Sequence, residues 1–267
     1  MKQRVLTGVL GAAGFLFLLW LGNWWYSAGL IILATISYLE FCRMQDLSWK
    51  QFQVIIGLGF VWLLILTTGL DQQLPLPSFP IFGDLKLINF ALVLFLILIV
   101  LTRNQFDIHQ MAYLFVGALY IGYGFAYMIQ TIWRTDGLAL TLLIILVIWA
   151  TDSGALFLGK RFGKKKLWPD ISPNKTVEGS IGGLVFGVIM SIIVLQFFPK
   201  LGTLPAVILL GFVISFSGQV GDLIESAWKR TTGVKDTGTI LPGHGGILDR
   251  FDSLLFTFII LHLLEIV

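Results

Sequence analysis

Long apolar segments alternate with short polar ones along the whole chain. We predict nine membrane helices, because roughly 20 apolar residues in a helix cross roughly 30 Å of hydrocarbon. The nine segments span about 5–22, 24–41, 52–70, 86–102, 110–131, 138–159, 179–198, 203–225 and 249–266. A Pro-rich stretch at 74–80 is typical of a rigid surface linker. The pattern therefore predicts an all-α, polytopic integral membrane protein.

Basic residues are distributed unevenly between alternate connections. With the N-terminus placed in the cytoplasm, 15 of the 18 Lys and Arg residues face inward, and Lys86, Arg134 and Lys200 are the exceptions. Cytoplasmic loops of membrane proteins are enriched in Lys and Arg. The bias therefore predicts a cytoplasmic N-terminus, and it supports the number of spans as well, because a different number would destroy it.

Composition narrows the class of protein further. The 267 residues are 57% hydrophobic and only 12% charged, which leaves little room for a soluble domain. The net charge of +3 is attributed to loops that face an anionic leaflet and anionic substrates, and not to nucleic acid. Cys42 is the only cysteine, so an intrachain disulfide is excluded and a structural role is expected for it.

The polar sequence is concentrated in the second half of the chain. We expect residues 1–135 to form about five N-terminal membrane helices and residues 136–267 to form the catalytic membrane region. The two longest polar stretches, about 160–178 and 226–248, are both predicted to face the cytoplasm. Chemistry is therefore expected in these two loops.

Three aspartates lie where the eighth and ninth segments meet their connecting loop. Asp222 lies near the end of the eighth segment, and Asp249 and Asp252 lie at the start of the ninth. One face of the eighth helix would carry Asp222, Glu225, Ser226 and Lys229. Carboxylates gathered without Cys or His suit a hard cation such as Mg²⁺ better than zinc. Interfacial Asp–Arg salt bridges are the alternative interpretation.

Both cytoplasmic loops have features of anion-binding segments. The loop at 231–246 is rich in Gly and hydroxyl residues, which lets backbone N–H groups approach phosphate oxygens. Asn174 and Lys175 precede the N-terminus of the seventh helix, where a phosphate or a base could bind. Asp152 is a polar residue inside an apolar helix and is expected to face the site.

Two other features are given less weight. The basic run from Lys160 to Lys166 is interpreted as an anchor on anionic lipid. The segment from Gly154 to Lys160 has the spacing of a P-loop, but Arg161 stands where a Ser or Thr is needed and the intervening residues are apolar. We reject the P-loop interpretation.

The segment from Ser226 to Asp252 resembles the signature of the phosphatidate cytidylyltransferase (CDP-diacylglycerol synthase) family. The matching residues are Ser226, Lys229, Arg230, Lys235, Asp236, Gly238, Pro242, His244, Gly245, Gly246, Asp249, Arg250 and Asp252. The signature covers about a tenth of the chain; the chain length, the number of spans and the loop at 172–179 are also similar to the family. Trp228 departs from the aliphatic residue or Phe expected at its position.

The resemblance implies a Mg²⁺-dependent transfer of a cytidylyl group from CTP to phosphatidate, giving CDP-diacylglycerol and pyrophosphate. The residues expected to be catalytic are Asp222, Lys229, Arg230, Asp249 and Asp252. The expected metal ligands are Asp222, Asp249 and Asp252, with a second cation left open. The residues expected to bind substrate are Asn174, Lys175, Ser226, Lys235, Asp236, His244, Gly245, Gly246 and Arg250.

The expected partners are CTP, phosphatidic acid and membrane lipid, without nucleic acid, and a homodimer is left open. The expected location is a bacterial inner membrane with the active site facing the cytoplasm. Two alternatives stay open. One is a CTP-dependent polyprenol kinase, which an assay with both acceptors would distinguish. The other is a lipid transporter, whose expected sign is two related halves with broken helices, and no such repeat is evident.

Overall fold

The fold is known from a computed structural model that describes residues 2–71, 73–74, 84–241, 243 and 245–266, with side chains from Thr7 onward and, after the gap, from Leu85. The described residues form nine α-helices and one β-hairpin. The all-α, membrane-embedded fold class predicted from the sequence is confirmed. Residues 75–80 of the predicted Pro-rich linker lie outside the described residues.

The helices fall on the predicted apolar segments. Their bounds are α1 Lys2–Leu21, α2 Asn23–Arg43, α3 Phe52–Leu64, α4 Asp84–Leu101, α5 Ile108–Ile132, α6 Gly137–Phe162, α7 Val177–Phe197, α8 Leu204–Thr231 and α9 Leu248–Leu263. A π-helical turn, Ile65–Gly69, extends α3, and a short 3₁₀ turn, Pro199–Leu201, precedes α8. The largest departure is α8, which continues six residues beyond the predicted end at 225.

Six of the described helices are long and apolar enough to cross a membrane. They are α2, α3 with its π-helical turn, α5, α6, α7 and α8. The apolar parts of α1 and α4 are shorter, Thr7–Leu21 and Leu85–Leu101, and α9 has 16 residues. Nine crossings and a cytoplasmic N-terminus therefore stay predictions.

Large apolar side chains stand exposed on several helices. Trp20 is 78% exposed, Val100 76% and Phe197 75%. Water would penalise such a surface at about 25 cal/mol per Å² of apolar area, whereas hydrocarbon covers it without that cost. The exposed apolar side chains are therefore the lipid-facing surface of a membrane protein.

The chain forms two compact units. The first comprises residues 1–130 together with 236–249, and the second comprises residues 131–235 together with 250–267. The loop that follows α8 thus belongs to the same unit as the N-terminal helices. The functional division predicted at 135/136 stays a prediction.

Aromatic packing ties α2 to α5 in the first unit. The rings of Phe41 and Tyr113 stack with centroids 4.2 Å apart. The Tyr113 hydroxyl also donates a hydrogen bond of 2.8 Å to the backbone carbonyl of Phe41. The end of α2 that bears Glu40 is therefore held against α5 by both apolar and polar contacts.

The helices α6, α7 and α8 pack against one another in the second unit. Close approach depends on small residues: a Cβ on Gly183 of α7 would lie 2.9 Å from the carbonyl oxygen of Thr151 on α6. The buried Thr151 hydroxyl donates a 2.9 Å hydrogen bond to the Ser215 hydroxyl of α8. These contacts hold α6, α7 and α8 in close packing.

A β-hairpin connects α6 to α7 and was not predicted. Its strands are β1, Lys166–Trp168, and β2, Ser172–Thr176, which pair antiparallel. The Glu178 carboxylate accepts hydrogen bonds from the backbone N–H groups of Lys164 and Lys165, which closes the base of the hairpin. The Thr176 hydroxyl caps α7 by accepting from the Gly179 N–H at 3.1 Å. The contacts of Glu178 and Thr176 thus fix the C-terminal end of β2.

Cysteine labelling can test on which side of the membrane the polar loops lie. We expect a Lys165→Cys variant, made in a Cys42→Ala background, to resist an impermeant maleimide in intact cells and to react after permeabilisation, because basic loops remain in the cytoplasm. Lys200→Cys is the matched control and should react in intact cells. Labelling of position 165 in intact cells would show that the predicted topology is wrong.

Candidate active site

The second unit contains a charged cavity of about 560 Å³ bounded by α6, the β-hairpin, α7 and α8. Charged and polar side chains line it: Asp152, Lys160, Lys166, Asn174, Lys175, Ser180, Gln219 and Asp222. Apolar residues of α6 and α8, such as Leu156 and Leu223, complete the lining. Asp152 thus faces a polar cavity, as its place in an apolar helix predicted.

An ion pair crosses the cavity between β2 and α8. The Lys175 ammonium lies 2.6 Å from a carboxylate oxygen of Asp222, with the two side chains 27% and 34% exposed. The hydrogen-bonded base of the hairpin fixes the position of Lys175 on β2, and the helical backbone of α8 fixes the position of Asp222. Two residues predicted separately, one for substrate and one for metal, are therefore in direct contact.

Three carboxylates of the second unit interact electrostatically: Asp152 of α6, Asp222 of α8 and Asp252 of α9. Gly221 makes this approach feasible, because a Cβ at that position would lie 2.7 Å from the Asp252 carbonyl oxygen. Lys175 and Arg250 supply the positive charge that acts on Asp152. The second unit therefore places three carboxylates close enough to one another, and to Lys175 and Arg250, for their charges to interact.

The oxygen donors near the cavity indicate which kind of cation could bind there. Within the described residues, no group of three or more His, Cys, Asp or Glu is arranged to hold a metal ion. The acidic groups near the cavity are carboxylates, the hard oxygen donors that Mg²⁺ prefers. The donor set fits Mg²⁺, and the assignment of ligands stays a prediction.

The polar face predicted for α8 is confirmed as one continuous helical face. The Ser226 hydroxyl donates to Asp222 at 3.3 Å, and Lys229 forms a 2.8 Å ion pair with Glu225, whose side chain is 1% exposed. Arg230 donates from Nε to the carbonyl of Ile171 in the hairpin turn, at 3.1 Å. The phosphate-binding roles expected of Lys229 and Arg230 stay predictions.

In the first unit, Asp249 organises the loop that precedes it. One carboxylate oxygen accepts three hydrogen bonds, from the Thr237 backbone N–H at 2.9 Å, the Thr237 hydroxyl at 2.9 Å and the Gly246 N–H at 2.7 Å. Gly245, with φ of 85°, adopts a left-handed conformation against the same oxygen. The side chain predicted as a metal ligand thus also folds the loop.

The remaining predicted residues are placed as follows. Asn174, Lys235, Asp236 and Arg250 are exposed, Gly245 is half-buried and Gly246 is buried. His244 and Pro242 lie outside the described residues. The substrate contacts predicted for this set are not tested by the geometry and stay predictions.

The sequence did not predict a role for three residues that the structure places at notable positions. Lys160 and Lys166 line the cavity, although their run was interpreted only as a lipid anchor. Glu40 of α2 is 1% exposed and accepts a 2.9 Å hydrogen bond from the Leu248 N–H at the start of α9. A signal for Glu40 was present, since an ionisable residue near the end of an apolar segment is expected to be functional.

The fold and the cavity define an integral membrane protein that holds Lys and Asp side chains around a polar pocket, the chemistry needed to bind phosphate groups. The sequence model of the Cytidylyltransferase family matches residues 2–267. The chain belongs to this family.

Full-length relatives support the assignment. The phosphatidate cytidylyltransferase of Bacillus subtilis (strain 168) is 41% identical over 270 residues, which cover 99% of this chain and 97% of that protein. The phosphatidate cytidylyltransferase of Staphylococcus saprophyticus is 38% identical over 268 residues, which cover 100% of this chain and 99% of that protein. That of Staphylococcus aureus (strain COL) is 39% identical over 270 residues, with the same coverage. The likeness thus extends over the N-terminal helices as well as the signature.

Proposed function

We propose that this chain is a phosphatidate cytidylyltransferase, which transfers CMP from CTP to phosphatidic acid in phospholipid biosynthesis. The observation that carries the proposal is the cavity of the second unit, in which Lys160, Lys166 and Lys175 accompany Asp152 and Asp222 in a member of the Cytidylyltransferase family. The full-length relatives named phosphatidate cytidylyltransferase give the same substrate pair. Relatives of this name favour neither the polyprenol kinase nor the transporter.

The reaction needs little acid–base chemistry. A phosphate monoester has a second pKa near 6, so phosphatidate is largely dianionic at neutral pH and carries its own nucleophile. A phosphatidate oxygen forms a bond to the α-phosphorus of CTP, the bond between that phosphorus and the oxygen bridging to the β-phosphate breaks, and pyrophosphate leaves. No proton has to be removed from the acceptor. Positioning and charge neutralisation are therefore the tasks left to the protein.

Two polyanions must be brought together, and the cavity offers the opposite charge. Lys160 lies in the last turn of α6, Lys166 begins β1 and Lys175 lies on β2, so the three ammonium groups come from separate elements around one cavity. Fixed cations that face developing charge on phosphate oxygens lower the barrier to phosphoryl transfer. We assign these three lysines to the phosphates and Asn174 to the nucleotide.

We assign a Mg²⁺ ion to Asp222 and Asp249, with Asp252 as a further ligand or a hydrogen-bond partner. The support is the carboxylate character of the three residues, the place of Asp249 and Asp252 in the signature sequence, and the position of Asp222 in the cavity lining. A divalent cation would supply positive charge to the phosphates of CTP. Asp222 is neutralised by Lys175, so the lysine and the cation are alternative partners for this carboxylate.

The proposed setting is the inner membrane of a bacterium, with the cavity facing the cytoplasm where CTP is available. Its support is the distribution of basic residues and the bacterial origin of the relatives. The exposed apolar helices would keep the acyl chains of both lipids in the bilayer while the headgroup reacts.

An assay with two acceptor substrates, phosphatidate and a polyprenol, distinguishes the proposed cytidylyltransferase from a polyprenol kinase. Purified protein in detergent or lipid nanodiscs, given CTP and Mg²⁺, is expected to release pyrophosphate with phosphatidate as acceptor and not with a polyprenol. Chelation of Mg²⁺ should abolish the release. Turnover with polyprenol alone would contradict the proposal, and turnover that persists in full after chelation would contradict the assigned cation.

Lys175 should act on the nucleotide. We expect Lys175→Ala to raise the KM for CTP about tenfold or more, because a charge-assisted contact to phosphate contributes about 1.5–3 kcal/mol. Lys164→Ala is the matched control, because Lys164 is exposed on the same segment and is not part of the cavity lining. An unchanged KM for CTP with a raised KM for phosphatidate would assign Lys175 to the lipid instead.

A further inference from the structure

The N-terminal helices contribute a buried carboxylate whose purpose the proposed reaction does not explain. Glu40 lies in the last turn of α2 and is 1% exposed. One oxygen, Oε2, accepts a hydrogen bond of 2.9 Å from the Leu248 backbone N–H, 208 residues further along the chain. The same oxygen lies 3.5 Å from the Thr237 hydroxyl. Glu40 therefore contacts both ends of the loop between α8 and α9.

The loop packs directly on this carboxylate. A Cβ on Gly238 would collide with Oε1 of Glu40, and a Cβ on Gly246 would collide with Oε2. No larger residue fits at either position unless the loop or the carboxylate moves. These two signature glycines are thus needed for close approach to Glu40, whereas Gly245 approaches Asp249.

A short chain of contacts links Glu40 to Asp249. Thr237, beside Glu40, donates both its N–H and its hydroxyl to the Asp249 carboxylate. Gly246, which packs on Glu40, donates its N–H to the same carboxylate oxygen. Leu248, which donates to Glu40, is the residue before Asp249. Thr237 and Gly246, which donate to Asp249, therefore both also contact Glu40.

We propose that Glu40 is a positioning residue for the cytidylyl transfer: it holds the loop 236–249 in the conformation that presents Asp249. The inference rests on the proposed function only for the role of Asp249. An apolar side chain in place of Glu40 would avoid the desolvation cost of a buried carboxylate but would leave the Leu248 N–H without its acceptor. Glu40 and the loop residues it contacts thus form one hydrogen-bonded network within the first unit.

The test uses the full-length protein with three variants. Glu40→Ala removes the acceptor, whereas Glu40→Gln keeps a carbonyl that can accept from the Leu248 N–H. The matched control is Tyr113→Phe, which removes the hydrogen bond to Phe41, the next residue of α2, without touching the loop. Measurements are kcat, KM for CTP, Mn²⁺ binding followed by electron paramagnetic resonance without substrates, and amide hydrogen exchange.

We expect Glu40→Ala to lower kcat and Mn²⁺ affinity by about 10–100-fold, the usual effect of losing a group that orients a ligand. The KM for CTP should change little, amide exchange should accelerate within 237–248 and not throughout the protein, and Glu40→Gln should recover most of the activity. Tyr113→Phe should keep parental kcat and loop exchange.

Two results would overturn the inference. One is parental kcat, Mn²⁺ affinity and loop exchange in Glu40→Ala. The other is an equal loss in all three variants that follows their melting temperatures, which would indicate a merely structural role. If Glu40→Ala does not fold, Thr237→Val takes its place, since it removes the hydroxyl that lies between Glu40 and Asp249 while keeping the side-chain shape, and the same outcomes apply. A parent without cytidylyl transfer would refute the proposed function, while loop exchange would still decide the role of Glu40.

Discussion

Charged groups placed among apolar helices need partners, and this constraint shapes the polar part of the protein. An isolated carboxylate in a medium of low dielectric constant is strongly destabilising, so each one must be paired or hydrogen-bonded. Asp222 is paired with Lys175 of the hairpin, and Asp249 is satisfied by the loop that precedes it. The hairpin and the loop are therefore tied to carboxylates, through an ion pair in the first case and hydrogen bonds in the second.

The same constraint connects structure to chemistry. Lysines and aspartates gathered in one cavity can exchange partners, because phosphate oxygens can replace carboxylates as partners of Lys and a divalent cation can replace Lys as partner of Asp222. Both substrates are polyanions, whose mutual repulsion is the main obstacle to their reaction. A cavity that holds the Lys175–Asp222 ion pair together with Lys160 and Lys166 is suited to overcome this obstacle.

The sequence predicted the helices well because each is a nearly continuous apolar block, and it placed Asp222, Asn174 and Lys175 among the candidate site residues. It placed the end of α8 too early, at 225, because the polar residues that follow were assigned to the loop. The hairpin was missed because its five-residue strand is short and polar and is fixed by Glu178 and Thr176. The contact between Glu40 and the loop joins segments about two hundred residues apart, which local patterns do not reveal.

Transfer of the cytidylyl group of CTP, and not of its terminal phosphate, defines the proposed reaction. The most direct test supplies phosphatidate and CTP labelled with ³²P at either the α- or the γ-phosphate, and follows the label into the lipid phase. We expect the α-label to enter the lipid and the γ-label to leave in pyrophosphate. Entry of the γ-label into the lipid would identify a kinase and contradict the proposed cytidylyl transfer.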